Sequence, residues 1–279
     1  MTAVAVLHPK VPRNVVEPFR LVVPRLSIQE EIDVSTSAAL IFGGDGTIHR
    51  HLPQLFQYKI PALVVPKGSG NDFAKALGIW NERIALAAWK HFCAHGDNVR
   101  EIDLGVIRKD RQETLFCCVA GAGLDSEANA RANRMPAWLR GTVGYLIAAL
   151  HSAATFQSTD VRITGDDFDV RRPGLLVAAG NAHRYGKGIK VTPQAQLDDG
   201  VLDVCLVGRM NKLKLLPILP TVFFGAHVWF KEVECFRTRR LRLETGRPLA
   251  LYADGEYIGD TPVEIGIFPG ALKVIVPVR

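Results

Sequence analysis

Two glycine-rich segments in the first third of the chain carry residue types that suit the binding of polyphosphates. The first is GGDGT at residues 43–47, which follows the apolar run AALIF and precedes a helical pattern. Glycines let the backbone bring its N–H groups close to an anion, and a helix N-terminus behind them favours negative charge. This turn consists of Gly43, Gly44, Asp45, Gly46 and Thr47.

Asp45 stands in the middle of this turn, where its carboxylate would repel a phosphate group. A divalent cation removes that conflict, as magnesium commonly does in phosphoryl transfer. Asp45 therefore indicates a metal-bound nucleotide as the ligand. The alternative is an ordinary strand-to-helix turn with Asp45 as a helix cap.

The second glycine-rich segment is PKGSGND at residues 66–72, between a predicted strand and a short helix that Gly78 ends. Two such turns on neighbouring parallel strands converge on one crevice. A side chain such as Ser69 or Asn71 could hydrogen-bond a nucleotide, and Lys67 could pair with phosphate. Alternatively, Asn71 or Asp72 caps the helix and Lys67 is solvated. The candidate binding residues of this turn are Lys67, Gly68, Ser69, Gly70, Asn71 and Asp72.

Two acidic segments in the second half could carry metal or proton chemistry. Asp198, Asp199 and Asp203 lie in a turn that leads into a strand, where carboxylate and carbonyl oxygens suit magnesium, although Asp-Asp-Gly is also a common turn. If its strand stays extended, Asp254 and Glu256 point to the same face, and one of them could act as a base. The alternative is a hairpin turn at Asp254 and Gly255, and both can hold if the turn presents the base.

The elements that must position these residues follow two different sequence patterns, one in each part of the chain. Residues 1–100 alternate short apolar runs with helical segments and predict an α/β nucleotide-binding domain with strands over residues 4–7, 38–42 and 62–65. Residues 101–279 contain short β-rich runs and predict a mostly antiparallel sandwich or barrel, with helical insertions over 125–155 and 213–231.

The composition favours an ordinary globular enzyme: 48% of the residues are hydrophobic and 22% are charged. The five cysteines show no CxxC pair, the histidines show no metal-ligand spacing, and no apolar run reaches the length of a membrane span. We therefore expect a cytoplasmic protein. The net charge of +6 would assist contact with anionic membranes or nucleotides. The alternative is that it reflects an ordinary basic surface.

Five segments in this order resemble the diacylglycerol kinase catalytic family, which includes bacterial lipid kinases and sphingosine kinases. GGDGT alone is shared with NAD kinases and phosphofructokinase-like folds, whereas the ordered series is highly specific. The segments are GGDGT at 43–47, PKGSGNDFAKALG at 66–78, AGAGLDSEA at 120–128, PQAQLDDGVLDV at 193–204 and DGE at 254–256.

The resemblance implies an α/β domain of the NAD kinase and phosphofructokinase type, a C-terminal β-sandwich, and ATP and magnesium as cofactors. It implies that residues 43–47 and Ser69 bind ATP and that Asp72 supports the cleft. Asp199 would hold a structural magnesium with backbone carbonyls near Gln196 and Val201. Glu256, assisted by Asp254, would take the proton of the acceptor hydroxyl.

The activity so implied is ATP-dependent phosphorylation of a hydroxyl on diacylglycerol or a related lipid alcohol. We expect the lipid at a membrane surface, at the inner membrane face, with peripheral membrane contact, no nucleic acid partner and a possible homodimer. The family usually has Asn-Pro-x-Ser-Gly after the first strand, but this chain has His8-Pro9-Lys10-Val11-Pro12. That difference motivates an alternative, a catalytically impaired nucleotide- or lipid-binding regulator. A second alternative is an NAD kinase-like enzyme with a soluble acceptor.

Overall fold

The structure is a computed structural model that describes residues 2–135, 147–148, 151–152, 155–186 and 188–278. The chain divides into two compact units. The first contains Met1–Leu104 together with Phe268–Arg279, and the second contains Gly105–Ile267. The sequence pattern grouped all residues after 100 together, whereas the structure places the last twelve with the first unit.

The first unit is built on a parallel sheet, with the strand order β4, β3, β1 and β2. The three predicted strands are all present, because each is an apolar run whose side chains are buried on both faces. The strands of this unit are β1 (Ala3–Leu7), β2 (Ser27–Ile28), β3 (Ala38–Gly43) and β4 (Ala62–Pro66). The helices are α1 (Glu17–Arg20), α2 (Asp45–Tyr58), α3 (Asp72–Ala76) and α4 (Glu82–His95).

The core of this unit contains large aromatic side chains from the helices and the sheet. Phe19 and Trp89 are fully buried, as are Phe42 on β3 and Phe73 on α3. Phe19 and Phe42 meet edge to face with ring centroids 5.1 Å apart. Such a contact adds about 0.5–1.5 kcal/mol to the burial itself. The helices are therefore fixed against the strands whose ends carry the glycine turns.

The second unit is dominated by antiparallel pairing, as predicted. Its strands lie in the order β14, β13, β7, β9, β8, β12 and β15, and β10 adds to β9. The strands that lie wholly or partly in this unit are β5 (Val99–Lys109), β6 (Gln112–Phe116), β7 (Val119–Gly123), β8 (Thr159–Thr164), β9 (Asp169–Gly180), β10 (Leu202–Gly208), β11 (Val233–Thr238), β12 (Arg240–Thr245), β13 (Ala250–Ala253), β14 (Glu256–Asp260) and β15 (Val263–Ile275).

Burial along β12 shows how the sequence specifies this arrangement. Leu241 and Leu243 are buried, whereas the alternate residues Arg240 and Arg242 are exposed. Alternating apolar and polar residues place one face of an antiparallel sheet on the core and the other in water. Within the described ranges, helices of this unit with defined bounds are α5 (Leu124–Arg134) and α6 (Lys212–Ile218), and α6 is followed by the 3₁₀ segments Leu219–Phe223 and Ala226–Trp229.

Two features of the second half differ from the sequence prediction, and a third prediction lies partly outside the described residues. β11 was not predicted, because its sequence VECFRT mixes polar and apolar residues without a clear turn before it. VEIGIF and ALKVIVPV form one strand, β15, which continues through Pro269 and Gly270. The predicted helical insertion at 125–155 begins with α5, but residues 136–146, 149–150 and 153–154 lie outside the described residues.

β15 explains why the chain end belongs to the first unit. Val274, near its end, pairs in parallel with Ala62 of β4. The N–H of Gly270 donates to the carboxylate of Asp103 at 2.8 Å, which fixes β15 beside the start of β5. None of the helices in the described ranges is long and apolar enough to span a membrane.

Asn98 fastens the C-terminal strand to α4. Its buried side-chain amide donates to the carbonyl of Ala88 at 3.0 Å and to that of Val276 at 2.8 Å. We expect Asn98→Ala to lower the free energy of unfolding of the first unit by about 2–3 kcal/mol, because both carbonyls lose a donor. Urea denaturation would measure this, with the exposed Asn14→Ala as control at less than about 0.5 kcal/mol. Equal effects of the two changes would contradict this role of Asn98.

Candidate functional site

The two glycine turns begin at matched positions on neighbouring strands. β3 and β4 pair in parallel, and their register sets Gly43 opposite Pro66. The N–H of Lys67 then donates to the carbonyl of Gly43 at 2.9 Å. Because both strands end at the same level of the sheet, both turns start side by side at its carboxyl edge, where open α/β sheets bind ligands.

Gly44 and Gly68 bring the two turns into backbone contact. A Cβ atom on Gly68 would lie 2.5 Å from the Cα of Gly44, and one on Gly44 would lie 3.0 Å from the Cα of Gly68. Contacts of this kind exclude any side chain at Gly68 unless the backbone moves. The glycines therefore have a packing role in addition to any contact with an anion.

The Asp45 side chain links the first turn to the helix after the second. Its two carboxylate oxygens accept the N–H groups of Asp72 at 3.2 Å and of Phe73 at 3.1 Å. These N–H groups belong to the first turn of α3, where no helical carbonyl is available to them. Asp45 thus caps α3, whereas the sequence suggested a cap on its own helix. Its predicted action through magnesium stays a prediction.

Asn71 shapes the second turn. Its backbone is left-handed, with φ of 55°, which asparagine tolerates better than most residues. Its side chain accepts the N–H of Gly68 at 2.8 Å and donates to the Gly68 carbonyl at 2.7 Å. Ser69 is exposed, whereas Gly70 and Asp72 are buried. The carbonyl of Gly70 accepts a hydrogen bond from the Lys75 ammonium group at 2.7 Å. The amide of Asn71 therefore holds the loop that presents Ser69.

Lys67 forms an ion pair with Glu82 at the start of α4. Both side chains are part-buried, so Lys67 is held by a carboxylate instead of being solvated. Sequence reasoning missed Glu82, because its neighbours read only as a helix start. A phosphate at Lys67 would have to share the ammonium group with this carboxylate.

The turn after β1 reaches the same edge of the sheet. β1 pairs in parallel with β3, and the N–H of His8 donates to the carbonyl of Phe42 at 2.9 Å. A tight turn follows, in which the N–H of Val11 donates to the carbonyl of His8 at 2.8 Å. The segment from His8 to Pro12 thus stands at the level of the two glycine turns despite its unusual sequence.

In the second unit, the DGE segment forms a hairpin. Asp254 and Gly255 both have positive φ, 51° and 91°, and join β13 to β14 as the two central residues of a tight turn. The prediction that Asp254 and Glu256 share one face of an extended strand is therefore wrong, and the hairpin alternative is confirmed. Glu256 is the first residue of β14 and is exposed.

The Asp254 carboxylate is anchored by consecutive backbone donors. It accepts N–H bonds from Cys117 at 2.8 Å, from Cys118 at 2.8 Å and from Val119 at 3.3 Å. The Cys117 thiol donates to the same carboxylate at 3.3 Å. Nothing in the sequence around the cysteine pair indicated these contacts. They fix the hairpin and thereby the position of Glu256.

Among the described residues, one group of three potential metal-ligating side chains is close enough to share an ion: Cys117, Cys118 and Asp254, with ligand atoms within 4.8 Å of one another. The Asp254 carboxylate already accepts the N–H bonds of this segment. The group lies apart from the predicted magnesium ligand Asp199 in the chain and offers sulfur, which magnesium does not favour.

Asp199 lies in the predicted acidic turn and contacts a residue that sequence reasoning missed. One carboxylate oxygen accepts the N–H of Val201 at 3.3 Å, and the other forms an ion pair with Arg237 of β11. Arg237 also lies 3.8 Å from the Asp203 carboxylate. Burial raises the pKa of Asp203 to about 6, with Arg237 opposing and Asp199 adding to the shift. Gln196 is exposed.

A small apolar pocket with a volume of about 80 Å³ lies in the second unit. Its walls come from the start of α5, from β9, from the segment after it and from the 3₁₀ segment after α6. The lining residues are Leu124, Asp125, Ala128, Leu176, Tyr185, Ile189, Val191, Leu219, Val222 and Phe223. Leu124 and Asp125 belong to the AGAGLDSEA segment, and the last three belong to the apolar run at 213–230. The lining suits an apolar group and offers little to a polar ligand.

Two family models cover most of the chain. The diacylglycerol kinase catalytic domain matches residues 24–107, and the YegS C-terminal NAD kinase beta sandwich-like domain matches residues 118–276. The diacylglycerol kinase of Mycobacterium tuberculosis (strain ATCC 25618 / H37Rv) is 35% identical over 244 residues, which are 87% of this chain and 77% of that protein. The chain belongs to the diacylglycerol kinase family. It is a lipid kinase, an enzyme that phosphorylates an alcohol group.

Further relatives agree with the family. The probable lipid kinase YegS of Escherichia fergusonii is 28% identical over 261 residues, 90% of this chain and 81% of that protein. A solved diacylglycerol kinase structure from Bacillus anthracis str. Sterne covers 99% of this chain and 96% of its own, with a TM-score of 0.70 and 19% identity. An NAD kinase from Archaeoglobus fulgidus in complex with ATP covers 100% and 94%, with a TM-score of 0.56 and 14% identity. These two structures confirm the predicted fold, an α/β domain followed by a β-sandwich domain.

Asp45 offers a direct test of the link between the turns of this lipid kinase. If the turns bind ATP as the sequence predicts, Asp45→Ala should weaken that binding at least about 10-fold. It should also lower the free energy of unfolding by about 1–2 kcal/mol, because α3 loses its cap. Asp45→Asn keeps one acceptor oxygen, so we expect it to recover most of the stability. Titration calorimetry and urea denaturation measure the two quantities.

Asn81→Ala is the matched control, because Asn81 caps α4 in the same unit by accepting the N–H of Ile84 at 3.0 Å. It should cost about 1 kcal/mol of stability and leave ATP binding unchanged. An unchanged free energy of unfolding in Asp45→Ala would show that the turns are held together by other contacts, and unchanged ATP binding would show that Asp45 is not needed for the nucleotide.

Proposed function

We propose that the protein transfers the γ-phosphoryl group of ATP to the hydroxyl of diacylglycerol or a related lipid alcohol, with magnesium. The observation that carries the lipid assignment is the apolar lining of the small pocket, about 80 Å³ in volume, beside Leu124 and Asp125. A soluble acceptor such as NAD would need hydrogen-bonding partners along its length, which this pocket does not provide. The lipid kinase family supports the same substrate class.

We assign ATP to the two glycine turns of the first unit. The first N–H groups of α2 point out of the helix start at Gly44, and a helix N-terminus favours the negative charge of phosphates. Gly43 and Thr47 are buried, and Gly46 is exposed at this start. Ser69 is exposed on the second turn and can hydrogen-bond the nucleotide. The backbone contact between Gly44 and Gly68 keeps both turns available to one ligand.

Glu256 is the proposed proton acceptor, and Asp254 is the residue that positions it. Glu256 is exposed directly after the hairpin turn, so its carboxylate is accessible to a substrate hydroxyl. Asp254 is engaged by the N–H groups of Cys117, Cys118 and Val119 and is thereby fixed. A rigid hairpin holds the base in a defined position, which acid–base catalysis requires.

The acidic turn offers the oxygen ligands that magnesium prefers. The Asp199 carboxylate and the backbone carbonyls near Gln196 and Val201 would hold the ion. Arg237 competes there, because its guanidinium group contacts Asp199. When bound, the metal would neutralise carboxylate charge and stiffen the turn before β10. Asp45 is the second carboxylate we assign to metal-bound nucleotide, in addition to its contacts with α3.

We place the working protein in the cytoplasm, at the inner face of a membrane. Leu213, Phe224 and Trp229 are 77%, 81% and 86% exposed, and all three lie in the segment that also lines the apolar pocket. Large exposed apolar side chains together with a net charge of +6 suit the surface of an anionic bilayer. A homodimer formed through an edge of the β unit is a further expectation, and no nucleic acid partner is expected.

The direct test is transfer of ³²P from labelled ATP to mixed lipid vesicles that contain diacylglycerol, a sphingoid base or phosphatidylglycerol in separate reactions. Label in one lipid supports the proposal and names the acceptor. Retained ATP binding without transfer to any lipid would favour a catalytically impaired regulator. The unusual sequence of the segment from His8 to Pro12 is the reason for considering that alternative. Label in NAD instead of lipid would identify an NAD kinase-like activity.

We expect Glu256→Gln to lower kcat at least about 100-fold, because the amide cannot accept the hydroxyl proton. ATP affinity and the thermal midpoint should stay unchanged, since Glu256 is exposed. Glu264→Gln is the control, because Glu264 is also an exposed glutamate on a strand of the second unit. A kcat within about 2-fold of the unmodified protein would rule out Glu256 as the base.

Val222 tests the pocket. We expect Val222→Asp to raise the KM for a long-chain lipid at least about 10-fold and to change the KM for ATP by less than about 2-fold, because a carboxylate in an apolar wall disfavours an aliphatic chain. Val34→Asp is the control, since Val34 is 80% exposed in the first unit. An unchanged lipid KM would place the acyl chain elsewhere while leaving the ATP-dependent activity intact.

A further inference from the structure

Two cysteines stand directly opposite each other on β10 and β11. The antiparallel register pairs Cys205 with Cys235, between the pairs Val204 with Phe236 and Leu206 with Glu234. Directly opposed residues of an antiparallel pair have Cα atoms about 4.5–5.5 Å apart and side chains on one face of the sheet. A disulfide requires about 4.4–6.8 Å between Cα atoms. The register therefore gives the separation that a bond between the two sulfurs needs.

The two thiols differ in access to solvent and in acidity. Cys205 is buried, whereas Cys235 is exposed. A hydrogen bond with the Cys205 thiol lowers the pKa of Cys235, although partial burial and Asp203 oppose this. The same hydrogen bond, together with burial, holds the pKa of Cys205 well above its usual range. The more acidic sulfur is thus the one that an oxidant in solution can reach.

The other three cysteines lack this combination. Burial raises the pKa of Cys93 to about 11, which disfavours its reactive thiolate. Cys117 and Cys118 are buried, adjacent in the chain and involved in the contacts with Asp254. Among the five cysteines, only Cys205 and Cys235 face each other across a strand pair with one member exposed.

We propose that Cys205 and Cys235 form an oxidation site at which a peroxide produces an intramolecular disulfide. The Cys235 sulfur attacks one peroxide oxygen, so the O–O bond breaks, Cys235 becomes a sulfenic acid and one water leaves. The Cys205 sulfur then attacks the Cys235 sulfur and displaces the second water. The two thiols lose two electrons and two protons in total, and hydrogen peroxide is reduced to two water molecules.

The bond would act on the segment that we assign to lipid binding. It closes a loop of about 30 residues, from β10 to β11, that contains α6 and both following 3₁₀ segments. Leu219, Val222 and Phe223 of the apolar pocket lie in this loop. The bond is also two residues from Asp203 and Arg237, which face each other in the same register. Oxidation would therefore fix both ends of the pocket segment and the strand pair beside the acidic turn.

Peroxide treatment of the reduced full-length protein tests the proposal. One equivalent of hydrogen peroxide should lower the number of titratable thiols in the denatured protein from five to three. Non-reducing peptide mapping should show one cross-link between the peptides of Cys205 and Cys235. Dithiothreitol should restore all five thiols. We expect a rise of about 5 °C in the thermal midpoint of the oxidised protein, because the closed loop constrains the unfolded chain.

Cys235→Ser is the decisive variant, because Cys235 is exposed and its loss should leave the fold intact. It should abolish both the cross-link and the rise in thermal midpoint. Cys93→Ser is the matched control and should keep both. Unchanged thiols, a cross-link between two molecules, or sulfinic acid at Cys235 without a cross-link would overturn the proposal. These readouts are independent of kinase activity, so they separate the thiol pair from the proposed function.

Discussion

The close approach of two backbone turns is the constraint on which the nucleotide side of this lipid kinase depends. Gly44 and Gly68 approach so closely that a Cβ atom on Gly68 would lie 2.5 Å from the Cα of Gly44, and the Asp45 carboxylate accepts the first N–H groups of α3. The first contact needs the absence of a side chain at Gly68, and the second needs an acceptor oxygen at residue 45 for the N–H groups of α3. The parallel register of β3 and β4 makes both contacts possible by ending the strands at one level.

The second unit uses the same physical device. Asp254 accepts the N–H groups of three consecutive residues, Cys117 to Val119, and so fixes a hairpin whose next residue is Glu256. In both units an aspartate of a family motif accepts backbone N–H groups of a segment distant in the sequence. Charge-assisted hydrogen bonds of this kind are about twice as strong as neutral ones. An acidic motif residue can therefore serve mainly to hold a neighbour that performs the chemistry.

The long segment between β10 and β11 takes part both in the proposed lipid site and in the proposed disulfide. It supplies part of the apolar pocket and carries exposed apolar side chains, among them Phe224 and Trp229. Its ends are the two strands on which Cys205 and Cys235 face each other. Fixed ends would stabilise this segment, because it exposes apolar surface and its own short helices supply few regular hydrogen bonds.

The sequence by itself determined the family, the fold class, the strands β1, β3 and β4 and the two glycine turns. It could do so because these features depend on local patterns: apolar runs, glycines at strand ends and an ordered series of motifs. Only the tertiary structure decided the partners of the polar residues. Asp45 with α3, Lys67 with Glu82, Asp254 with Cys117 to Val119 and Asp199 with Arg237 join positions 15 to 137 residues apart. Such pairs depend on strand register and turn geometry, which no local pattern specifies. For the same reason the cysteine pair was invisible in the sequence, since its two residues meet only because β11, an unpredicted strand, pairs with β10.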